Sequence, residues 1–574
     1  MFVRQFSIIT AVLILLTCVP IHAQEETTTN GAITGRVVND RGEPMPGATI
    51  TARAIGSLSS GARMTTSDTE GNFRFAALEP ALYTVSGFSP AYVTLPPDGD
   101  TPTYYRIGDA VRLELIKGGV LTGTVTNSAG EPVAGIRVRA FRVRDAKGKA
   151  QRSPFGSAER TTDDRGIYRL YGIVPGTYLV SAGGMANQSY QFNPFETDVA
   201  IFSPSSTRDT ATEYSVRSGE ETIADIRYRN DPGHTISGTV KVGPNNSAAI
   251  TLTSADGIFV PASNAFQNPG MRGFALNGVP DGEYIISAQE IYQGPSAAVV
   301  PDLSASDGKR VTVKGADVTG IELTTKPMGV VNGMVVLEPS KAPECQGKRK
   351  PLLGETLVEM HRHARDSENP TLYSAWVSTT ASPKPNGAFT VRNVMPARYV
   401  FSTRFFARYW YLQSISIGAP ATPAAKTTTV PRNDVAGTWT VVKSGEQVSN
   451  LTIKLAEGAA SIRGKITVPE GATIPLGMAI YLIPAEREKV DDVLRYFVTQ
   501  IAADGTFAFN NLPPGRYLAV AQNPAQTETD TTSKLRLPES AEARTKLRRT
   551  AETQKVDLEL KPCQNLADYQ LLFK

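Results

Sequence analysis

Along most of the chain, apolar and polar residues alternate with period two, in short runs bounded by Gly, Pro, Asn and Asp. Period two sends successive side chains to opposite faces of a strand, so these runs predict half-buried strands of antiparallel sheets. A helical segment is predicted once, at "ESAEARTKLRRTAET" over residues 539–553, just after Pro538. It is charged nearly all round, which predicts a short surface helix or solvated linker rather than a packing element. Residues 523–533, "NPAQTETDTTS", read as a loop.

The alternation is organised in repeats, and they decide the architecture. Five strands open on Gly-x-Val-like patterns: "AITGRVVND" at Gly35, "VLTGTVTNS" at Gly123, "TISGTVKVG" at Gly238, "VVNGMVVLE" at Gly333 and "SIRGKITVP" at Gly464. In the first two copies "RGEPMPGATI" and "AGEPVAGIRV" follow, where Gly and Pro reverse the chain before a second strand. Further on come the hairpins "SDTEGNFRF", "TDDRGIYRL", "NPGMRGFAL", "SPKPNGAFT" and "IAADGTFAF". Their Gly-containing pairs suit the left-handed backbone of a tight turn.

A tyrosine follows each hairpin. The offset is twelve from Gly71 to Tyr83, Gly166 to Tyr178, Gly387 to Tyr399 and Gly505 to Tyr517, and eleven from Gly273 to Tyr284. From the opening glycine to the same tyrosine the offset ranges from 46 to 66. The hairpin-to-tyrosine segment is therefore fixed in register, while the middle of each unit accepts insertions. In a β-sandwich, a Tyr at such a corner packs its ring in the core and bonds backbone through its hydroxyl. Tyr83, Tyr178, Tyr284, Tyr399 and Tyr517 are accordingly expected to be structural.

Closing strands such as "VTVKGADVTGIELTT" and "WTVVKSGEQVSNLTIKLA" complete the units. The expected division is a leader at 1–23, modules at 24–117, 118–231, 232–327, 328–457 and 458–561, and a C-terminal tail at 562–574. The fold class is all-β: a tandem array of about five Ig-like or prealbumin-like antiparallel β-sandwiches. Short links between units predict a rod or gently bent string.

Length agrees with several domains, since 574 residues exceed one ordinary core. The 49 Gly and 39 Pro show no fixed period, which is turn-rich β composition rather than collagen or disorder. With 59 basic and 55 acidic residues intermixed, nothing in the charge suggests a nucleic-acid partner. The start, "MFVRQFSIITAVLILLTCVPIHAQ", has a lone Arg4, a short apolar run and the exit Ile21-His22-Ala23. It reads as an export signal cleaved after Ala23, being shorter than the ~20 residues a bilayer-spanning helix needs. No later stretch is apolar enough to span a membrane as a helix. The protein is thus expected to be exported, to the periplasm, cell surface or medium. Cys18 leaves with the signal, and Cys345 and Cys563 remain, to pair or to stay as free thiols.

The Gly-x-Val strands, "GEP-x-x-G" turns, Asp-x-x-Gly-x-aromatic hairpins and "P-G-x-Y" segments together resemble carboxypeptidase regulatory-like domains. The resemblance is good in the first, second and fifth units and looser in the third and fourth. It implies a transthyretin-like sandwich related to carbohydrate-binding-like and Cna-B-like folds, in a bacterial envelope or secreted protein. It concerns the accessory sandwich, not the peptidase. A zinc peptidase builds its metal site from two His and a Glu. This chain has four His, and its one His-x-x-Glu, His22 to Glu25, straddles the signal cleavage site. Related sandwiches carry Lys–Asn cross-links. Lys241 and Lys465 follow opening glycines, but no matching Asn and acid recur.

Other chemistry is sparse. His361 and His363 in "VEMHRHARD" would share one strand face with Glu359, or reach Asp366, as metal ligands. The plainer expectation is a polar strand edge. Asp68 and Asp163 in the acidic hairpins lack the further oxygens of a calcium loop and should bond their own turns. No nucleophile elbow, phosphate loop or dinucleotide fingerprint is present, and neither enzyme activity nor a cofactor is expected. The candidate ligand surface is "RFFARYWYLQSI", residues 404–415, where Trp410 with Tyr409, Tyr411 and Arg408 could stack and bond a sugar. The favoured reading, however, places alternate rings in the core. A second aromatic loop, "SYQFNPFET" from Ser189, adds little. The leading expectation is a non-catalytic exported structural or interaction protein. Polysaccharide binding, or service as an accessory subunit to another envelope protein, stands behind it.

Overall fold

The computed structural model describes residues 31–572, apart from 56–61, 95–102, 151–157, 185–194, 196, 243–245, 255–258, 269, 292–301, 364–378, 419–433, 468–477, 503, 523–539 and 555. The segment 1–23 expected to be an export signal, Asp366 and nearly all of the "SYQFNPFET" loop lie outside the described residues.

Five β-sandwiches follow one another, each with two sheets around its own apolar core. The opening strands are Gly31–Asn39, Gly119–Thr126, His234–Lys241, Gly329–Glu338 and Ala460–Thr467. Each pairs antiparallel with the strand after the hairpin and parallel with the closing strand. This sheet is therefore mixed, whereas the tyrosine-bearing sheet opposite it is antiparallel throughout. Alternation alone reports the pleat and is blind to strand direction.

The parallel pairing has a topological consequence. First and last strands of a module run the same way, so the chain arrives at one end and leaves at the other. Links are then short: Gly118 alone separates the closing strand Ala110–Lys117 from Gly119, and two residues separate Gln447–Glu457 from Ala460.

The opening glycines are explained by this sheet. Gly35, Gly123, Gly238, Gly333 and Gly464 lie opposite Phe73, Tyr168, Phe274, Phe389 and Phe507. A Cβ on any of them would fall under 3.0 Å from a carbonyl oxygen of the closing segment: Val111, Ala224, Ile321, Leu451 or Tyr569. The rings of Phe73, Phe389 and Phe507 fill the same space. No φ constraint is involved; glycine is needed there because backbone and ring approach so closely.

Three expectations need correction. The segment 562–574 is not a tail, because Asn565–Leu572 is the closing strand of module five, parallel to Ala460–Thr467. Asp557–Leu560 instead joins the tyrosine-bearing sheet beside Gly515–Gln522. The helix, Ala541–Gln554, is a packing element: Leu547 and Ala551 are buried against Ala479, Tyr481, Ile483 and Val520 on the outside of module five. Two apolar residues one turn apart suffice to seat a helix that is otherwise charged. Nor is the array a simple rod, since module one touches module four, as shown below.

Candidate functional site

All five corner tyrosines are built alike. Their rings lie in five separate cores, and each hydroxyl donates to the carbonyl four residues earlier: Tyr83 to Glu79 (2.9 Å), Tyr178 to Val174 (2.6 Å), Tyr284 to Pro280 (2.8 Å), Tyr399 to Met395 (2.9 Å) and Tyr517 to Pro513 (2.8 Å). Burial pushes the hydroxyls of Tyr178 and Tyr284 up to about 12, so they remain donors at any ordinary pH. The bond ties the tyrosine strand to the turn before it. The offset in module three also becomes regular. Phe274, opposite Gly238, lies ten residues before Tyr284, as Phe73 lies ten before Tyr83. The residue matching the other hairpin glycines is thus Arg272, and Gly273 is its neighbour.

A second recurrence was not visible in the sequence. Six residues before each corner tyrosine the backbone is left-handed: Ala77 (φ 54°), Gly172 (64°), Gly278 (68°), Asn393 (56°) and Asn511 (57°). The pairing register with the opening strand shifts at the same place in every module, so this residue sits in a β-bulge. The bulge lies at the leading end of the module, where the preceding module arrives. Gly172 lies against the link residue Gly118 and against Ala91 of module one. Gly278 lies against the link residue Gly233. Asn393 accepts from the Leu303 amide of module three (2.8 Å), and beside it Arg392 pairs with Asp302 (2.6 Å). Asn511 donates to the carbonyls of Ala407 (2.8 Å) and Trp410 (2.7 Å) in module four. The type of residue differs, but the backbone shape is the same in all five modules, and in modules two to five the residue is a junction contact.

The aromatic stretch 404–415 belongs to these junctions and does not form a sugar platform. Trp410 has 0% exposure and is packed in the core of module four, so no face of its indole can stack on a ligand. Tyr409 is half-buried on the same core. Its ring is covered by Lys348 (4.9 Å) and Arg408 (5.6 Å), and its carbonyl accepts from Gly458 and Ala459 (2.8 and 2.9 Å). Tyr411 is half-buried beside the link residue Gly458, and burial raises its pKa. Arg408 is exposed, but the rings it was to assist point inward or into the junction. The period-two pattern allowed alternate rings to face either way. Packing turned Trp410 inward.

Modules four and five are fastened further. Cys345 and Cys563 are bonded to each other, with Cα atoms 5.4 Å apart and a sequence separation of 218. Val493 and Leu494 of module five pack on the core of module four. Both modules own complete cores, so the bond chiefly restricts how one module turns on the other.

The remaining candidates have local partners. His361 meets Ser402 (2.8 Å) and Glu359 (3.8 Å), whereas His363 meets Arg398 (3.2 Å) and the ring of Trp439 (4.5 Å). Among the described residues, no three His, Cys, Asp or Glu side chains converge as metal ligands. Asp68 accepts from the amides of Glu70 and Asn72, and Asp163 from those of Arg165 and Ile167, so these carboxylates close their own hairpins. The Arg165 bond holds Asp163 below the usual carboxylate range. Among the described residues no helix is long and apolar enough to cross a membrane.

Residues 32–101 match the model of the carboxypeptidase regulatory-like domain. That match covers most of module one, and the four later modules repeat its opening glycine, hairpin aromatic and corner tyrosine. Among solved structures, the chain resembles the Bacillus anthracis TIE protein at 15% identity, over 52% of this chain and 50% of that one, with a TM-score of 0.13. It also resembles GBS52, the minor pilin of Streptococcus agalactiae, at 14% identity over 37% of this chain and 99% of that one, with a TM-score of 0.20. The Streptococcal ancillary pilin is similar at 10% identity, over 60% and 99% of the two chains, with a TM-score of 0.16. No curated protein matches the chain.

Proposed function

We propose that this is a non-catalytic, exported structural protein that holds β-sandwich surfaces in fixed relative positions. The Cys345–Cys563 bond between modules four and five is the observation that carries this reading. Such a bond persists in oxidising compartments, in keeping with the predicted export signal. Because it joins two modules that each have their own core, its effect falls on inter-module geometry. The bulge contacts at each junction act in the same sense. Polysaccharide binding loses its support, because the ring chosen to carry it is sealed in a core. An envelope partner remains compatible with the scaffold.

Small-angle scattering of the mature chain, before and after reduction, tests the proposal. The expected result is no titratable thiol before reduction and a broader distance distribution after it, with strand content unchanged. Two free thiols in protein recovered from the exported fraction would remove the central support.

A further inference from the structure

In modules two to five the leading end, from the bulge residue to the corner tyrosine, receives whatever precedes it in the chain. In module one the bulge residue, Ala77, is exposed. The turn beside it is nevertheless occupied. Gly354 of module four lies against the carbonyl of Pro80, three residues before Tyr83, so closely that a Cβ there would overlap the oxygen. Gly354 has no left-handed φ to explain it. The steric reason for glycine at that position is the presence of module one.

The surrounding contacts point the same way. Arg106 follows Tyr105, which pairs with Tyr83 through backbone bonds of 2.8 Å in both directions. Its guanidinium lies over the Phe406 ring (5.1 Å) and donates to the Phe406 carbonyl (3.4 Å), across 300 residues of sequence. Arg404 lies over the ring of Tyr104 (5.2 Å). Glu355, next to Gly354, is only 4% exposed although it is a carboxylate on a surface turn. It pairs with Arg349 (3.3 Å), and Arg106 of module one lies close enough to stabilise its charge. A buried carboxylate needs cations nearby, and module one supplies one of them.

We propose that the leading end of module one is a docking surface for module four of the same chain, the turn of Gly354 and Glu355 together with the Phe406 loop. Modules one to four then close into an arc through the kind of surface that elsewhere joins consecutive modules. The closure is independent of the Cys345–Cys563 bond, which joins modules four and five.

Two substitutions of unrelated chemistry test it in the full-length mature chain. Gly354→Val places a side chain where Pro80 sits, and Arg106→Glu sets a like charge beside Glu355. Neither residue belongs to a module core, so strand content and melting of the modules should be retained. Scattering should show the maximum dimension growing in both variants, by about 30 Å, the length of a nine-residue strand, or more. Spin labels on modules one and four should report a lengthened and broadened distance. An unchanged distance in two folded variants would overturn the proposal, and so would a wild-type chain already extended in solution. Should either variant lose strand content, Phe406→Ala provides a third disruption, read by the same distance.

Discussion

The segment from hairpin aromatic to corner tyrosine and the bulge residue inside it occupy the same stretch of chain but follow different rules. The aromatic and the tyrosine are ten residues apart in all five modules, and both positions stay aromatic because both fill a core. The bulge residue keeps only its backbone shape. It is Ala, Gly, Gly, Asn and Asn in turn, all left-handed. Within a module, the constraint is volume and one hydrogen bond. Between modules it is a direction of the backbone, and the side chain is free to suit the neighbour. An array can therefore repeat one fold and still vary its joints.

The largest way to break the inner half of this comparison is Gly333→Val. The added atoms would meet the Leu451 carbonyl and the Phe389 ring, and overpacking of this kind costs about 3 kcal/mol. Calorimetry should show one module melting early while those with intact cores keep their transitions. A superimposable trace would mean that the close approach is not required.

The junction half is sharpened by comparing Asn511→Ala with Asn511→Gly. Both remove the bonds to Ala407 and Trp410. Only alanine leaves a Cβ residue in the left-handed region without a side chain to compensate, at about 1 kcal/mol. Denaturant unfolding should thus rank asparagine first, glycine next and alanine last. Equal stability of asparagine and alanine would show that the side chain contributes nothing to this joint.

The smallest effect is expected from Tyr178→Phe, a loss of about 1 kcal/mol, as one buried carbonyl loses its donor. The pH dependence has a defined sign. The folded hydroxyl titrates near 12 and an unfolded tyrosine near 10, so below about pH 10 both states are protonated and the contribution is complete. As pH rises toward 12 the unfolded chain loses its proton first, and stability falls. Chemical denaturation between pH 9 and pH 12 should show a shallower decline in the phenylalanine variant. Parallel declines would place the alkaline sensitivity elsewhere.

Much of the module was legible because its rules act over short distances. Ten- and twelve-residue spacings appear directly in the sequence, and five copies average out local accidents. The one slip in register, at Gly273, arose because a glycine stands next to the position where the others have theirs. The closing strand of module five was missed for a different reason. Asp557–Leu560 alternates as well as Asn565–Leu572 does, and pattern alone does not say which of them lies beside Ala460–Thr467. The helix was underestimated because two buried residues, Leu547 and Ala551, are a faint signal among charged neighbours.

By itself the sequence determined the all-β class, the tandem repetition and the fixed place of five tyrosines in it, and left two cysteines free to pair or not. Each follows from local periodicity or from repetition. Only the tertiary structure decided that Trp410 faces inward, that Cys345 meets Cys563, and that in modules two to five one left-handed residue forms the joint. It also decided that Gly354 makes room for module one. Most of these depend on groups brought together across 90 to 300 residues. At such separations, the packing of whole modules determines which groups meet, and no local pattern in the chain records it.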